Sequence, residues 1–149
     1  MARATASGGG LYPIDLHIAA LRVEPLERGT YVYDPRRDAL WRLGDGAPVD
    51  DLLSALAAPD AAIRTSQAAA LLLLVARPRR ATRKYGERGL RHVFIEAGAI
   101  AQQIALACAA LGVGGVDSSS FYDDEVHAAL DMDGEHEAVV HLIVLGIPA

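Results

Sequence analysis

Residues 90–112 read LRHVFIEAGAIAQQIALACAALG, and this stretch decides the fold. Leu90, Val93, Phe94, Ala97, Ile100, Ile104, Cys108 and Leu111 recur at spacings of three and four, the period that lays apolar side chains along one face of a helix. Gly112 supplies the left-handed residue on which such a helix stops. The uncharged run from Ala97 to Val116 is 20 residues long and so reaches membrane-spanning length. Alanine is its commonest residue, with Gln102, Gln103 and four glycines, where a bilayer centre favours Leu, Ile and Phe. The expectation is a buried, central helix of a soluble fold.

Outward from this helix the chain reads as strands. Ile14, Leu16, Ile18 and Ala20 alternate with Asp15, His17 and Ala19, the period of two of a half-buried strand. Thr30–Tyr33 and Ala39–Leu43 flank the turn signal DPRRD at 34–38 and predict a hairpin. Ala68–Ala76 is apolar without alternation, as expected of a central strand covered on both sides, and Ala138–Leu145 predicts a final buried strand. Short helices are expected at Val49–Ala58, after the breaker DGAP at 45–48, at Asp60–Gln67, and at Asp123–Leu130, whose acidic start suits a helix N-terminus. Val113–Ser120 reads as a small-residue strand or loop. This order describes one α+β domain over 1–149, a mainly antiparallel sheet flanked by helices, without repeats or a linker.

With 149 residues, 52% of them hydrophobic, the chain can fill a core and is not disordered. A net charge of −5 argues against a protein held to nucleic acid by general backbone attraction. One cysteine, Cys108, excludes an internal disulfide and a cysteine-built zinc site, which fits a reducing, cytoplasmic setting. No metal is expected. His127, His136 and His141, with Glu135 and Glu137, divide between an acidic turn and an apolar strand, and the calcium-like start at 131–135 lacks the ligand order of such a loop. The Gly112–Gly115 run follows a helix instead of a strand, so it is no dinucleotide loop, and Ser118–Ser120 lacks nucleophile-elbow glycines.

Residues 77–91 carry seven of the fourteen basic residues against one acid, Glu87. Such crowding in a loop that opens a helix can hold an anion or can simply be a solvated loop. Lys84 within it is the only lysine of the protein. Lysine can lose its proton and act as a base where arginine practically cannot, and Tyr85 beside it adds a phenol. Ser7-Gly8-Gly9-Gly10 lets backbone approach a planar or anionic ligand closely, or is a flexible lead.

Several motifs in order carry a resemblance: RATASGGGLYP at 3–13, GTYVYDPRRDALWRL at 29–43, KYGERGLR at 84–91, EAGAIAQQIALACAALGVG from Glu96, and FYDDE at 121–125. Together they resemble the SagB/ThcOx-type dehydrogenases of the FMN-dependent nitroreductase superfamily. The resemblance implies a nitroreductase-like α+β flavoprotein, a homodimer with FMN at the subunit interface, that oxidises thiazoline and oxazoline rings of peptides to thiazoles and oxazoles. Ser7, Gly8 and Gly9 would line the flavin, Ser119 and Ser120 would offer backbone amides near its reactive nitrogen, and Arg3 would be the one phosphate arginine in register. Lys84 and Tyr85 would be the catalytic base pair. The resemblance also implies a family segment upstream of residue 1 and a cyclodehydratase as partner. Two other readings stand beside it: a general NAD(P)H-dependent flavin nitroreductase, and a flavin-free subunit of a peptide-modifying complex.

Overall fold

A computed structural model describes residues 3–147. The chain runs through β1 (Ile14–Ala20), β2 (Gly29–Asp34), β3 (Ala39–Gly44), α1 (Ala47–Ser54), α2 (Asp60–Ile63), β4 (Ala70–Ala76), α3 (Arg79–Tyr85), α4 (Gly89–Leu111), β5 (Gly114–Ser118), α5 (Asp123–Ala129) and β6 (Ala138–Gly146). The six strands form one sheet in the order β3-β2-β1-β4-β6-β5, and every neighbouring pair is antiparallel. The expected α+β architecture is therefore present.

The unbroken apolar run puts β4 at the centre, between β1 and β6, with side chains feeding both faces. Leu71, Leu73 and Val75 pack with Ala19, Leu142 and Val144 beneath Val49 and Leu52 of α1 and Val126 of α5. Leu74 and Ala76, with Ile14 and Ile143, lie beneath Ala81 of α3 and Val93, Ala97 and Ala101 of α4. A strand that must bury both faces cannot alternate polar and apolar residues, which is why 70–76 reads as it does.

Three boundaries differ from expectation. Pro48 does not precede α1 but sits in its first turn, where a missing N–H leaves nothing unsatisfied. That helix stops at Ser54 because tertiary pairing takes over: Ala57 N–H donates to the Ser120 carbonyl and Tyr122 N–H to that of Ala55, each at 2.9 Å. The helix expected over 60–67 breaks at Arg64, in the left-handed region at φ 50°, into α2 and a 3-10 turn at Thr65–Gln67, and the Asp60 carboxylate accepts from Ser66 N–H at 2.7 Å. The basic segment, read as a loop, is helical: α3 and a 3-10 turn at Gly86–Arg88 lead straight into α4.

The helix α4 ends as expected on Gly112 at φ 67°, whose neighbour Val113 N–H returns to the Cys108 carbonyl at 2.9 Å. Its burial is one-sided, however. The inner face packs on the sheet, whereas Ile95 and Leu106 on the outer face are 69% and 62% exposed. By length and composition the helical run Arg79–Leu111 could cross a membrane, yet its inner face is part of this fold's core and carries a charged residue, Glu96.

Candidate functional site

The expected glycine lead folds back along α4. Gln103 of α4 donates to the Ala4 carbonyl at 3.2 Å, and the Ser7 hydroxyl accepts from Tyr12 N–H at 2.8 Å, closing the 3-10 turn Gly8–Gly10. Gly9 and Gly10 both lie in the left-handed region, at φ 66° and 67°, so the turn requires glycine on conformational grounds. Packing is close there as well. A β-carbon on Gly9 would stand 2.8 Å from Lys84 Nζ and would collide with the Tyr85 hydroxyl, and one on Gly8 would be 2.8 Å from the His92 ring.

Four sequence-predicted residues thus converge. Helix α3 ends on Lys84 and Tyr85 and aims both polar heads at the Gly9 backbone. Lys84 Nζ is 5.2 Å from the Tyr85 ring centre, and the Tyr85 ring packs at 4.8 Å on His92, from the first turn of α4. His92 was not anticipated, since no spacing rule links it to a glycine turn some eighty residues away. Gly9, Gly10 and Lys84 are exposed, and above Gly10 nothing fills the space a side chain would take, whereas His92 covers Gly8 and the ends of Lys84 and Tyr85 cover Gly9, so the turn is a shelf open at Gly10 and edged by an amine and a phenol.

The seven basic residues of 77–91 divide in two. Arg77 Nε donates to Asp15 at 2.6 Å, its other arm pairs with Glu137, and Arg80 grips Asp15 with two bonds of 2.7 and 2.8 Å. Burial alone would raise the Asp15 pKa, but the Arg80 and Arg77 guanidinium groups outweigh it and hold the carboxyl below its ordinary value. These two arginines pin α3 to the end of β1. Arg79, Arg83, Lys84, Arg88 and Arg91 are exposed and make no ion pair among the described residues, leaving positive charge along α3 and the start of α4.

Arg3 borders the other side of the turn, lining a hollow of about 440 Å³ with Gly10, Arg80 and Arg83. Its guanidinium stacks 4.5 Å over the Tyr12 ring and faces a cavity of about 360 Å³ that is also lined by Glu96. Glu96 is 1% exposed, and neither carboxylate oxygen has a hydrogen-bond partner of good geometry among the described residues. Burial pushes its pKa up, against weaker opposing pulls from the nearby Ser7 hydroxyl and Arg3. The sequence held a signal for it: Glu96 stands three residues after Val93 and four before Ile100, a charge inside the apolar stripe.

Ser119 and Ser120 are exposed at the end of β5. Ser119 lines a separate hollow with Phe94 and Phe121, and Gly8, Gly9 and Lys84 are not among its walls. Ser120 N–H donates to Ser118 Oγ at 3.1 Å. The histidines are dispersed: His127 Nε2 accepts from Val139 N–H at 3.0 Å, His136 bonds Asp133 at 2.6 Å, and His141 lies 3.3 Å from Asp117.

Comparison with known proteins gives this geometry a context. The chain matches the Nitroreductase family over residues 1–147. A nitroreductase-type protein of Methanocaldococcus jannaschii is 36% identical over 125 residues, 83% of this chain and 61% of its own length. Among solved structures, the Escherichia coli microcin synthetase McbBCD complex with truncated pro-MccB17 bound aligns at a TM-score of 0.86 and 24% identity, covering 100% of this chain and 57% of that one. A nitroreductase-type protein of Desulfovibrio desulfuricans in complex with FMN aligns at 0.64 with 18% identity, over 98% and 67%. The chain therefore spans about six-tenths of the first two of these relatives.

Proposed function

Because the chain belongs to the nitroreductase family, we propose that it is a cytoplasmic FMN-dependent oxidoreductase of the SagB/ThcOx type. Its substrates in this reading are peptide thiazolines and oxazolines, which it dehydrogenates to thiazoles and oxazoles. The observation that carries the reading is the convergence of Lys84 Nζ and the Tyr85 hydroxyl on Gly9. Aromatising an azoline removes a proton from carbon while a hydride leaves, so the site needs a base beside a flat acceptor. FMN, which the Desulfovibrio neighbour binds, supplies the two-electron acceptor when present.

In this reading a planar ring would rest against the open Gly10 end of the shelf. Ser7, Gly8 and Gly9 would lie along it with backbone alone, and Lys84 at its edge would take the carbon-bound proton. Tyr85 would hold the ammonium so formed through its hydroxyl and pass the proton to water, since both groups are reached from outside. Ser119 and Ser120 would complete the site from a second copy, because one copy keeps them apart from the shelf. The outer face of α4 supports such pairing: exposed Ile95 and Leu106 share it with the small residues Gly98 and Ala109, and small residues let two helices approach closely. A complex with a peptide substrate, as the McbBCD neighbour shows for itself, agrees with a peptide-modifying role and a cyclodehydratase partner.

The test is Lys84→Ala. The variant should keep bound flavin and lose azoline oxidation by about 10²- to 10⁴-fold, the usual worth of a positioned base. Undiminished oxidation would remove Lys84 from the chemistry, and nitro reduction driven by NAD(P)H without azoline turnover would identify a general reductase instead.

A further inference from the structure

The hollow of about 440 Å³ beyond Gly10 gathers charge of one sign. Its walls come from the lead segment, β1, the β2–β3 turn and α3, and they bring Arg3, Arg36, Arg80 and Arg83 together with Asp15 and Asp34. Both carboxylates are already taken. Arg77 and Arg80 clasp Asp15, and Asp34 accepts from the Arg36 N–H at 2.8 Å and from the Arg37 side chain at 2.9 Å. Arg3 gives one long bond of 3.5 Å to the Ile14 carbonyl, and the side chains of Arg36 and Arg83 have neither an ion pair nor a hydrogen bond among the described residues. In a chain of net charge −5, three guanidinium groups from three distant segments meet here without a counter-charge of their own. Such a concentration repels itself and draws in an anion.

The surroundings of the hollow name the anion. Gly10 is one of its walls and is also the open end of the shelf, and Arg83 directly precedes Lys84 at the end of α3. The phosphate of FMN hangs from its ring by the whole length of the ribityl chain. A hollow that shares Gly10 with the seat of the ring lies instead at the ring's edge, where a substrate held beside Lys84 continues. The ordinary anionic group of a peptide is the carboxylate, and the guanidinium fork matches it with two parallel N–H bonds. We propose that this hollow binds a carboxylate of the substrate peptide, carried by an acidic residue next to the azoline, with Arg36 and Arg83 as the contacts that select it. In taking the guest as part of a peptide substrate this rests on the proposed function; the binding of a carboxylate in the hollow does not.

The test titrates the full chain with N-acetyl-aspartate amide and with its neutral counterpart of the same shape, N-acetyl-asparagine amide, at low ionic strength and neutral pH. Backbone amide NMR follows both, with and without FMN. The aspartate probe should produce saturable shifts at Gly10, Leu11 and Arg36 and bind at least about tenfold more tightly than the asparagine probe, since one hydrogen bond between charged groups is worth that much. FMN should leave its affinity unchanged. Arg36→Gln and Arg83→Gln, both at exposed positions, should each weaken it by about threefold to tenfold, whereas Arg91→Gln, which removes an exposed cation outside the hollow, should not. Loss of the aspartate shifts on adding FMN would give the hollow to the cofactor's own phosphate and overturn the proposal. Equal binding of the two probes, or an equal loss in Arg91→Gln, would overturn it as well, leaving only a general positive field. A chain that binds the aspartate probe as described but takes up no FMN would sink the flavin reading and keep the carboxylate site, so the two failures are told apart.

Discussion

The residue that ties α3 to β1 is Asp15. Its carboxylate is clasped by Arg77 and Arg80, which are themselves about one-third exposed, so the network lies between a buried and a surface ion pair. Asp15→Asn should therefore destabilise the fold by about 2 kcal/mol, read by urea unfolding at neutral pH. The sign with pH follows from the depressed pKa. The contribution is complete above the ordinary value of 3.8 and is lost as pH falls through the lower, folded value. Wild type should lose stability below about pH 3.8 more steeply than the variant; parallel acid profiles would place the stabilisation elsewhere. How much of this was legible depends on distance along the chain. Lys84 stood out because its singularity is a property of the sequence itself. Tyr85 and the glycines of 8–10 were legible as residue types, but their joining Lys84 in one site came only through a family resemblance, and the grip of Arg77 and Arg80 on Asp15, across more than sixty residues, left no local trace.

Among the elements, periodicity was a dependable guide wherever packing writes it. The alternation of 14–20 and the unbroken run in 70–76 report how many faces each strand buries, and both strands stand where they were expected. Helix α3 escaped notice because seven residues rich in arginine carry no apolar stripe; only Ala81 is buried, and the ion pairs with β1 fix it. In α4 Val93, Ala97 and Cys108 of the expected stripe are buried, but Leu90, Phe94 and Leu111 are exposed, and spacing cannot say what covers that side. The proposed pairing of two copies through that side makes a prediction. Leu106→Glu would bury an unpaired carboxylate at the helix contact, so the dimer constant should weaken by on the order of 100-fold or more while circular dichroism stays unchanged. Sedimentation at graded concentrations checks this. A variant that associates as wild type does would move the contact away from α4.

At the scale of the molecule, the fold sets two groups of candidate residues apart. The Gly9 shelf with Lys84 and Tyr85 lies at one place, and Ser119 with Phe94 and Phe121 lies at another. A site assembled from both needs a second copy, which couples cofactor retention to association: whatever separates the copies should also release flavin. Under the proposed function, a second copy would also keep water from the reacting carbon above a shelf that is open in one copy. The most direct test of the whole account is the visible spectrum of the purified chain after incubation with FMN and desalting. The account predicts a yellow, stoichiometric complex that is lost in Leu106→Glu and kept in Lys84→Ala. A protein that emerges colourless, with all added FMN in the small-molecule fraction, would contradict it.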